Sequence, residues 1–264
     1  MQGYCISTRK PEFMLQLLAT LKQGIKKRYH RKFGPYRDVV VVSYPKSGRT
    51  WLRVMLHDLN IIPAFEHDGS QHDLHLPYWK LSTDKSEYSN QRIIFLTRDP
   101  RDTAVSSYFQ VTKRHKLYNG SISEFIRDDR YGIKKILKFH SIWDQNRHVP
   151  VDFKLIKYED LQNDPFTNMS ELLSFLEFTH IDEKKLRKII QFYQFDNMQK
   201  LEKQGYFKKT FKNVLYPKDP NDQNTYKTRK GKVGGFKEYF TREDLEYCNQ
   251  VMNEFPNPFY RDAV

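Results

Sequence analysis

VVVVSYPKSGRTW, residues 39–51, is the stretch that decides the fold. Its four consecutive valines predict a strand that is buried on both faces, as in the interior of a parallel sheet. A short loop containing glycine follows, and an amphipathic helix begins at Trp51. Such a turn directs free backbone N–H groups and the positive end of the helix dipole toward one point. We therefore predict an anion site, to which Lys46 adds charge and Ser47 and Thr50 add hydroxyl donors.

A second basic and hydroxyl-rich cluster follows the strand predicted for residues 91–97, QRIIFLT. Arg98 stands at the exit of this strand, and Ser106 lies in the helix that begins near Asp102. A right-handed crossover would fold that helix back over the strand, so both side chains could contact one anion. The alternative interpretation is that Arg98 forms a salt bridge with Asp102.

A third cluster, RKGKVGGFK, occupies residues 229–237 near the end of the chain. Arg229 and Lys230 supply adjacent cations. The glycines, beginning with Gly231, let backbone amides approach a ligand closely.

Three histidines lie in the loop that follows the second predicted strand, EHDGSQHDLHLPYW: His67, His72 and His75. A histidine just past a strand end is well placed for a general base, because α/β active sites lie at that edge. Two alternatives stay open. His72 and His75 could bind a divalent ion together with neighbouring aspartates, or the loop could be an ordinary polar surface.

Further strands are predicted over residues 61–65 and 151–158, with helical patterns over 122–143 and at the chain's end. The pattern predicts an α/β fold in a single domain, with a central parallel sheet flanked by helices. The domain would cover all 264 residues, a length that fits one core. Two basic segments complete it, an N-terminal amphipathic helix within residues 1–36 and a mobile loop over 200–228.

The composition is strongly basic, with a formal net charge of +13. Nucleic acid, an anionic membrane and an acidic small ligand are all candidate partners for such a chain. Cys5 and Cys248 fit no metal or redox spacing, which favours a reducing compartment. No apolar run reaches the length of a membrane span, and the N-terminus lacks a signal core, so we expect a cytoplasmic protein.

The order P-K-S-G-x-T-W is not a Walker A loop, in which lysine directly follows the second glycine. It resembles the 5′-phosphosulfate loop of the PAPS-dependent sulfotransferases of the cytosolic type, and we expect a bacterial-like member. Arg49 stands where the family usually has threonine. The arginine and serine eight residues apart resemble the family's 3′-phosphate motif, and the late cluster resembles R-K-G-x-x-G-D-W-K with Gly235 and Phe236 as departures.

The resemblance implies a P-loop-like α/β architecture of the nucleoside-triphosphate-hydrolase type. It also implies that PAPS, 3′-phosphoadenosine 5′-phosphosulfate, is the co-substrate and that no metal is needed. It assigns the 3′-phosphate to Arg98, Ser106, Arg229, Lys230 and Gly231. It assigns adenine to Trp51, Tyr158, Tyr193 and Phe195. It assigns the phosphosulfate to Lys46, Ser47, Gly48, Arg49 and Thr50.

By this resemblance a histidine removes the acceptor's proton, the acceptor attacks sulfur in line, and adenosine 3′,5′-bisphosphate (PAP) leaves. His75 shares the family's local H-L-P letters, whereas His67 shares its position directly after a strand. We favour His67 as the catalytic base, with His75 as the rival. Glu66 is a further candidate, because polysaccharide sulfotransferases use a glutamate.

The expected acceptor is a hydroxyl or amine on a small molecule or a saccharide. We expect no nucleic acid partner, although contact with an anionic surface fits the charge. The family's dimer motif is only partly met by Lys237, Thr241 and Glu246, so we expect a monomer or a weak homodimer. The alternatives are a P-loop-like nucleotide kinase, a non-catalytic basic protein that binds an anionic polymer or membrane, and a sulfotransferase fold that has lost catalysis.

Overall fold

The computed structural model describes residues 36–178, 182–255 and 257–260. The predicted N-terminal amphipathic helix lies outside these residues. Four parallel strands form one sheet in the order β2-β1-β3-β4. Their bounds are β1 Val39–Ser43, β2 Ala64–Glu66, β3 Arg92–Thr97 and β4 Asp152–Lys157. The α/β prediction is confirmed, and only β2 begins several residues later than the sequence pattern indicates.

Helices flank the sheet. In chain order they are α1 Arg49–Asp58, α2 Pro100–Phe109, α3 Ile122–Arg127, α4 Ile133–Gln145, α5 Tyr158–Asn163, α6 Pro165–Phe175, α7 Glu183–Phe192, α8 Phe195–Lys203, α9 Lys208–Phe211 and α10 Arg242–Glu254. A π-helical turn, Gln110–His115, extends α2. In the described part of the chain, no helix has the length and apolar character needed to span a membrane.

Both faces of the sheet are buried, as the run of valines requires. Val39 and Val41 point into one apolar cluster, which contains residues of α1, α6 and α7. Val40 and Val42 point into the other, which contains residues of α4 and α10. Phe95 on β3 lies at the centre of the second cluster, with the rings of four neighbouring aromatic residues within 6 Å of its own. The two cores hold the strand ends in fixed positions.

The helical pattern over residues 122–143 is divided in two by a turn. Gly132 precedes α4, and a Cβ at this position would lie 2.4 Å from the carbonyl oxygen of Ile126. The close approach of the backbone to α3 therefore needs glycine. The amphipathic pattern continues through the turn because α3 and α4 pack on the same core.

The segment predicted as a basic loop over residues 200–228 is partly helical. It contains the end of α8 and all of α9, and Phe207 is buried in the first core. Arg114, from the π-helical turn, donates hydrogen bonds to the backbone oxygens of Tyr216 and Thr225. The segment is thus fastened to the domain at two points, and its mobility stays a prediction.

One buried histidine gives the fold a pH dependence. His140 Nδ1 accepts a hydrogen bond from Asn257 Nδ2 at 3.0 Å, and Nε2 lies 3.3 Å from Thr97 Oγ1. Because Nδ1 is an acceptor, the ring is neutral. Burial lowers the pKa of His140 to about 3.

We expect the free energy of unfolding to fall as the pH is lowered from about 6.5 toward 3. In that range the unfolded chain binds a proton that the folded His140 excludes, at a cost of about 1.4 kcal/mol per pH unit for each such histidine. Urea unfolding of a His140→Gln variant should show a shallower decline. His148→Gln, which changes an exposed histidine, should keep the wild-type profile. Identical pH profiles for His140→Gln and wild type would contradict this account.

Candidate active site

The carboxyl ends of the parallel strands open on a cavity of about 1010 Å³. Segments from the early, middle and late parts of the chain line it together. Parallel strands place their carboxyl ends at one edge of the sheet, so the topology brings together the segments that follow β1, β2 and β3. The late segment reaches the same cavity through hydrogen bonds of its backbone to Arg98 and Asp102. Two of the predicted site residues, Ser47 and His75, do not line the cavity.

The loop after β1 forms the floor of the cavity. Gly48, with φ of 96°, occupies the cap position before α1. Lys46 has φ of 76°, and its Nζ lies 3.3 Å from the backbone oxygen of Lys227 and 3.5 Å from Gln110 Oε1. Burial and then the charge of Lys227 hold the pKa of Lys46 well below its ordinary value. Ser47 is fully buried, and its backbone N–H donates a hydrogen bond to the Tyr44 backbone oxygen at 3.4 Å, so this residue presents no free donor to the cavity.

Aromatic rings form one wall. The ring of Tyr158 packs against Gly48 so closely that a Cβ there would lie 2.4 Å from Tyr158 Cδ2. Trp51 meets the Tyr158 ring edge-on at 6.2 Å, and its Nε1 donates a hydrogen bond to the Tyr193 backbone oxygen at 2.7 Å. The ring of Phe195 packs against a second glycine, Gly231. A flat aromatic ligand would find apolar surface here.

Arg98 and Ser106 both line the cavity, as their spacing predicts. Arg98 lies 4.5 Å above the Tyr158 ring and donates a hydrogen bond to the Lys232 backbone oxygen at 2.9 Å. It also pairs with Asp102 at 3.9 Å. The salt-bridge alternative and the cavity position are therefore compatible, and the buried Nε of Arg98 has no partner among the described residues.

The late cluster meets the other two segments. Gly231 has φ of 61°, and a Cβ there would lie 2.4 Å from Phe195 Cδ2. The backbone oxygen of Gly231 accepts a hydrogen bond from the Tyr158 hydroxyl at 3.0 Å. Arg229 stacks on Phe109 at 3.9 Å, whereas the more exposed Lys230 pairs with a surface glutamate. These contacts fix the Arg229 guanidinium at the cavity wall.

His67 lies directly after β2 and contacts the end of β1 and the loop that follows it. Its Nδ1 is 2.8 Å from the Ser43 backbone oxygen, and its Nε2 is 2.5 Å from Arg49 Nη2. A carbonyl oxygen only accepts, so Nδ1 carries the proton and Nε2 presents a lone pair to the arginine. Burial, followed by the charge of Arg49, lowers the pKa of His67 to about 3. The imidazole is therefore neutral, as a general base must be.

The other candidates for a base are placed differently. His75 is exposed and contacts the Tyr131 hydroxyl outside the cavity lining. Glu66 lines the cavity and accepts a hydrogen bond from Tyr88 at 3.0 Å. His72 also lines the cavity but is buried, with its ring edge-on to Tyr44.

The structure gives no support to the metal alternative for this loop. Within residues 36–178, 182–255 and 257–260, no group of three or more histidine, cysteine, aspartate or glutamate side chains is arranged to hold a metal ion.

Lys227, in the cavity lining, and Glu202, behind it, are two charged residues that the sequence pattern did not indicate. Lys227 lines the cavity, and burial followed by the charge of Arg114 lowers its pKa to about 8. The buried carboxylate of Glu202 accepts hydrogen bonds from the backbone N–H groups of Lys227 and Thr228, at 2.7 and 2.9 Å, and from the Thr228 hydroxyl. Lys227 could have been found by extending the late motif two residues upstream. Glu202 carries no sequence signal, because only the fold brings it there.

Comparisons with known proteins identify the family of the chain. A model of the family described as "Sulfotransferase domain" matches residues 70–255. Cytosolic sulfotransferase 15 of Arabidopsis thaliana is 25% identical, over 82% of this chain and 71% of that protein. Flavonol 3-sulfotransferase of Flaveria bidentis is 27% identical, over 82% of this chain and 81% of its own length.

Among solved structures, a mouse sulfotransferase complexed with PAP superposes with a TM-score of 0.63 at 19% identity, covering 86% of each chain. At this identity the likeness speaks for the fold. The family model extends over more than half of the sequence, from the histidine-containing loop to the last helix, and on this ground the chain belongs to the sulfotransferase domain family.

Proposed function

We propose that the protein transfers a sulfuryl group from PAPS to a hydroxyl or amine acceptor, with His67 as the general base. One observation carries the proposal. A single cavity is lined by three segments: the loop after β1, the Arg98–Ser106 pair and the Arg229–Gly231 cluster. His67 lines the same cavity, beside the loop after β1. The solved structure named above, which contains PAP, supports a donor of this class.

The side chains present fit such a donor. The buried guanidinium of Arg98 and the stacked guanidinium of Arg229 would hold a phosphate. The Nε of Arg98 has no partner among the described residues and is a free donor for it. Gly48 and Gly231 allow rings to close on the wall where adenine would stack. Lys46 and the amides of its loop would hold the phosphosulfate end.

When bound, PAPS would supply the activated sulfuryl group, and the chain would supply position and charge. Lys46 would offset the negative charge that develops on the bridging oxygen, and the Thr50 hydroxyl would donate a hydrogen bond there. His67 would accept the acceptor's proton at Nε2, because Nδ1 is already committed to the Ser43 oxygen.

The cavity lining around the end of β2 supports an acceptor that donates hydrogen bonds. Carboxylates and an amide line it beside two rings, namely Glu66, Asp68, Gln71, Asp73, Glu87, Phe65 and Tyr88. Hydroxyl and amine groups are natural partners for carboxylate oxygens. The relative named for a flavonol supports a small-molecule acceptor, and a saccharide fits the same chemistry.

The cellular setting is part of the proposal. The relative named as cytosolic and the free, buried Cys248 support a location in the cytoplasm. We propose a monomer or a weak homodimer, which light scattering would test.

Saturating PAP should raise the melting temperature clearly, because a ligand at about 100 times its Kd stabilises the folded state by about 2.7 kcal/mol. ATP with Mg²⁺ at the same concentration should have a much smaller effect. The measurement is a thermal shift, followed by an acceptor screen with labelled PAPS. A shift with ATP and Mg²⁺ but none with PAP would favour a kinase. Steeply salt-dependent DNA binding without a PAP shift would favour a non-catalytic basic protein.

His67→Ala should reduce transfer by a factor of about 100 or more, the usual contribution of a general base, while PAP binding persists. His75→Ala is the matched control and should retain wild-type turnover, since its side chain lies outside the cavity. Initial rates with labelled PAPS and thermal shifts with PAP would separate chemistry from binding. Full turnover in His67→Ala with loss in His75→Ala would reverse the assignment.

Glu202→Gln should weaken PAP binding roughly tenfold and lower the free energy of unfolding by about 1–3 kcal/mol. The substitution replaces one accepting oxygen by an NH₂ group, which cannot accept a hydrogen bond. One of the two backbone N–H groups before Arg229, at Lys227 or Thr228, therefore loses its acceptor. Calorimetric titration with PAP and urea unfolding would measure the two effects. Glu246→Gln, at an exposed position of α10, should change neither. Unaltered PAP affinity in Glu202→Gln would show that the loop does not need this clamp.

A further inference from the structure

We infer that Arg49 is a gate on His67, which keeps the base occupied until the sulfuryl end of the donor draws the guanidinium away. The inference rests on the proposed function and adds a positioning residue to it. It also gives a role to the position at which the loop departs from the family's P-K-S-G-T-T-W pattern.

The contact itself occupies the atom that catalysis requires. Arg49 Nη2 lies 2.5 Å from His67 Nε2, and Nδ1 is bonded to the Ser43 oxygen. Both ring nitrogens are therefore engaged. An acceptor hydroxyl cannot give its proton to Nε2 while the guanidinium, which only donates, occupies that lone pair.

No strong partner holds Arg49 in place. Within the described part of the chain it forms no ion pair, and its buried Nη1 has no hydrogen-bond partner. Its charged neighbours are mixed, because Arg53 repels the guanidinium and Glu66 attracts it. Lys227, which also faces His67, adds a second cation to the same region. The guanidinium is thus bound to a neutral ring in surroundings that favour an anion.

The position of Arg49 in the loop indicates which anion would attract it. Arg49 is the first residue of α1 and directly follows Gly48, in the loop that we propose for the phosphosulfate. A guanidinium forms shorter and stronger hydrogen bonds with anionic oxygens than with neutral acceptors, and it can do so in a bidentate manner. Movement of Arg49 to the sulfuryl oxygens would satisfy Nη1 and free Nε2 at once.

The functional consequence is an ordered activation of the base. Without the donor, Arg49 occupies the Nε2 lone pair of His67, so His67 cannot deprotonate an acceptor. With the donor bound, the movement of Arg49 places a cation near the transferring group and frees the Nε2 lone pair. Arg49 would therefore couple the loading of the donor pocket to the readiness of the acceptor side.

The test is ¹⁵N NMR of the histidine side chains, with His67 assigned by difference from His67→Ala. Spectra are recorded across pH for the protein alone, with PAP, and with PAPS in the absence of acceptor. In wild type, PAPS should shift the Nε2 resonance and raise the pKa of His67, and PAP, which lacks the sulfuryl group, should do so much less. In Arg49→Thr the pKa should rise without any donor, by about one pH unit or more, equivalent to a tenfold change in proton affinity.

The comparison between variants isolates the gate from simple electrostatics. An anion near His67 would raise its pKa even without movement of Arg49, so the expected signature is a smaller PAPS response in Arg49→Thr than in wild type. Arg53→Gln removes an equal charge one turn further along α1 and should keep the wild-type response, since Arg53 packs on the Phe65 ring instead. Arg49→Lys, which retains charge, serves if the threonine variant does not fold, and it should show an intermediate response.

Equal PAPS responses of His67 in wild type and in the Arg49 variants would overturn the gate. An unchanged His67 pKa in donor-free Arg49→Thr would do the same. These outcomes are distinct from failure of the proposed function, which would appear as absence of a thermal shift with PAP or as full turnover of His67→Ala.

Discussion

The carboxylate of Asp102 is the constraint on which the site depends. It accepts hydrogen bonds from the backbone N–H groups of Gly234 and Phe236, 132 and 134 residues further along the chain, and it also pairs with Arg98. The middle and late segments are therefore joined by side-chain contacts rather than by the sheet, and Asp102 is the buried side chain that bonds the turn at Gly234 and Phe236 directly. Phe236 anchors the same turn in the core below. The sheet brings the strand ends together, and Asp102 determines how the last segment closes over them.

A surplus of cations surrounds the cavity, and it opposes folding. Burial lowers the pKa values of Lys46, Arg49 and Lys227, which means that each charge is less well solvated here than in water. Glu202 offsets part of this cost by anchoring the chain beside Lys227. The two apolar cores supply the remaining stabilisation. A bound anion would relieve this repulsion, so the cavity without an anion is less stable than the same cavity with one.

Much of the fold and part of the site followed from the sequence, because those features depend on local pattern. Runs of β-branched residues predict the buried strands. The spacing of Arg98 and Ser106, at a strand end and on the helix that folds back over it, predicts that both face one site. Glu202 and the contact between Arg49 and His67 could not be predicted, because they arise from packing between segments that are not adjacent in the chain. Over residues 200–228 the polar composition indicates a loop and conceals the few apolar residues that anchor the helical parts of the segment.

Gly48 and Gly231 have an evolutionary consequence. Each glycine is matched to one ring, Tyr158 or Phe195, at a distance that leaves no room for a side chain. A larger residue at the glycine collides with the ring, and a smaller residue at the ring leaves a gap. The positive φ of both glycines adds a second constraint, because a side chain there stays strained even where the ring is removed. Over evolutionary time the rings should therefore prove easier to replace than the glycines.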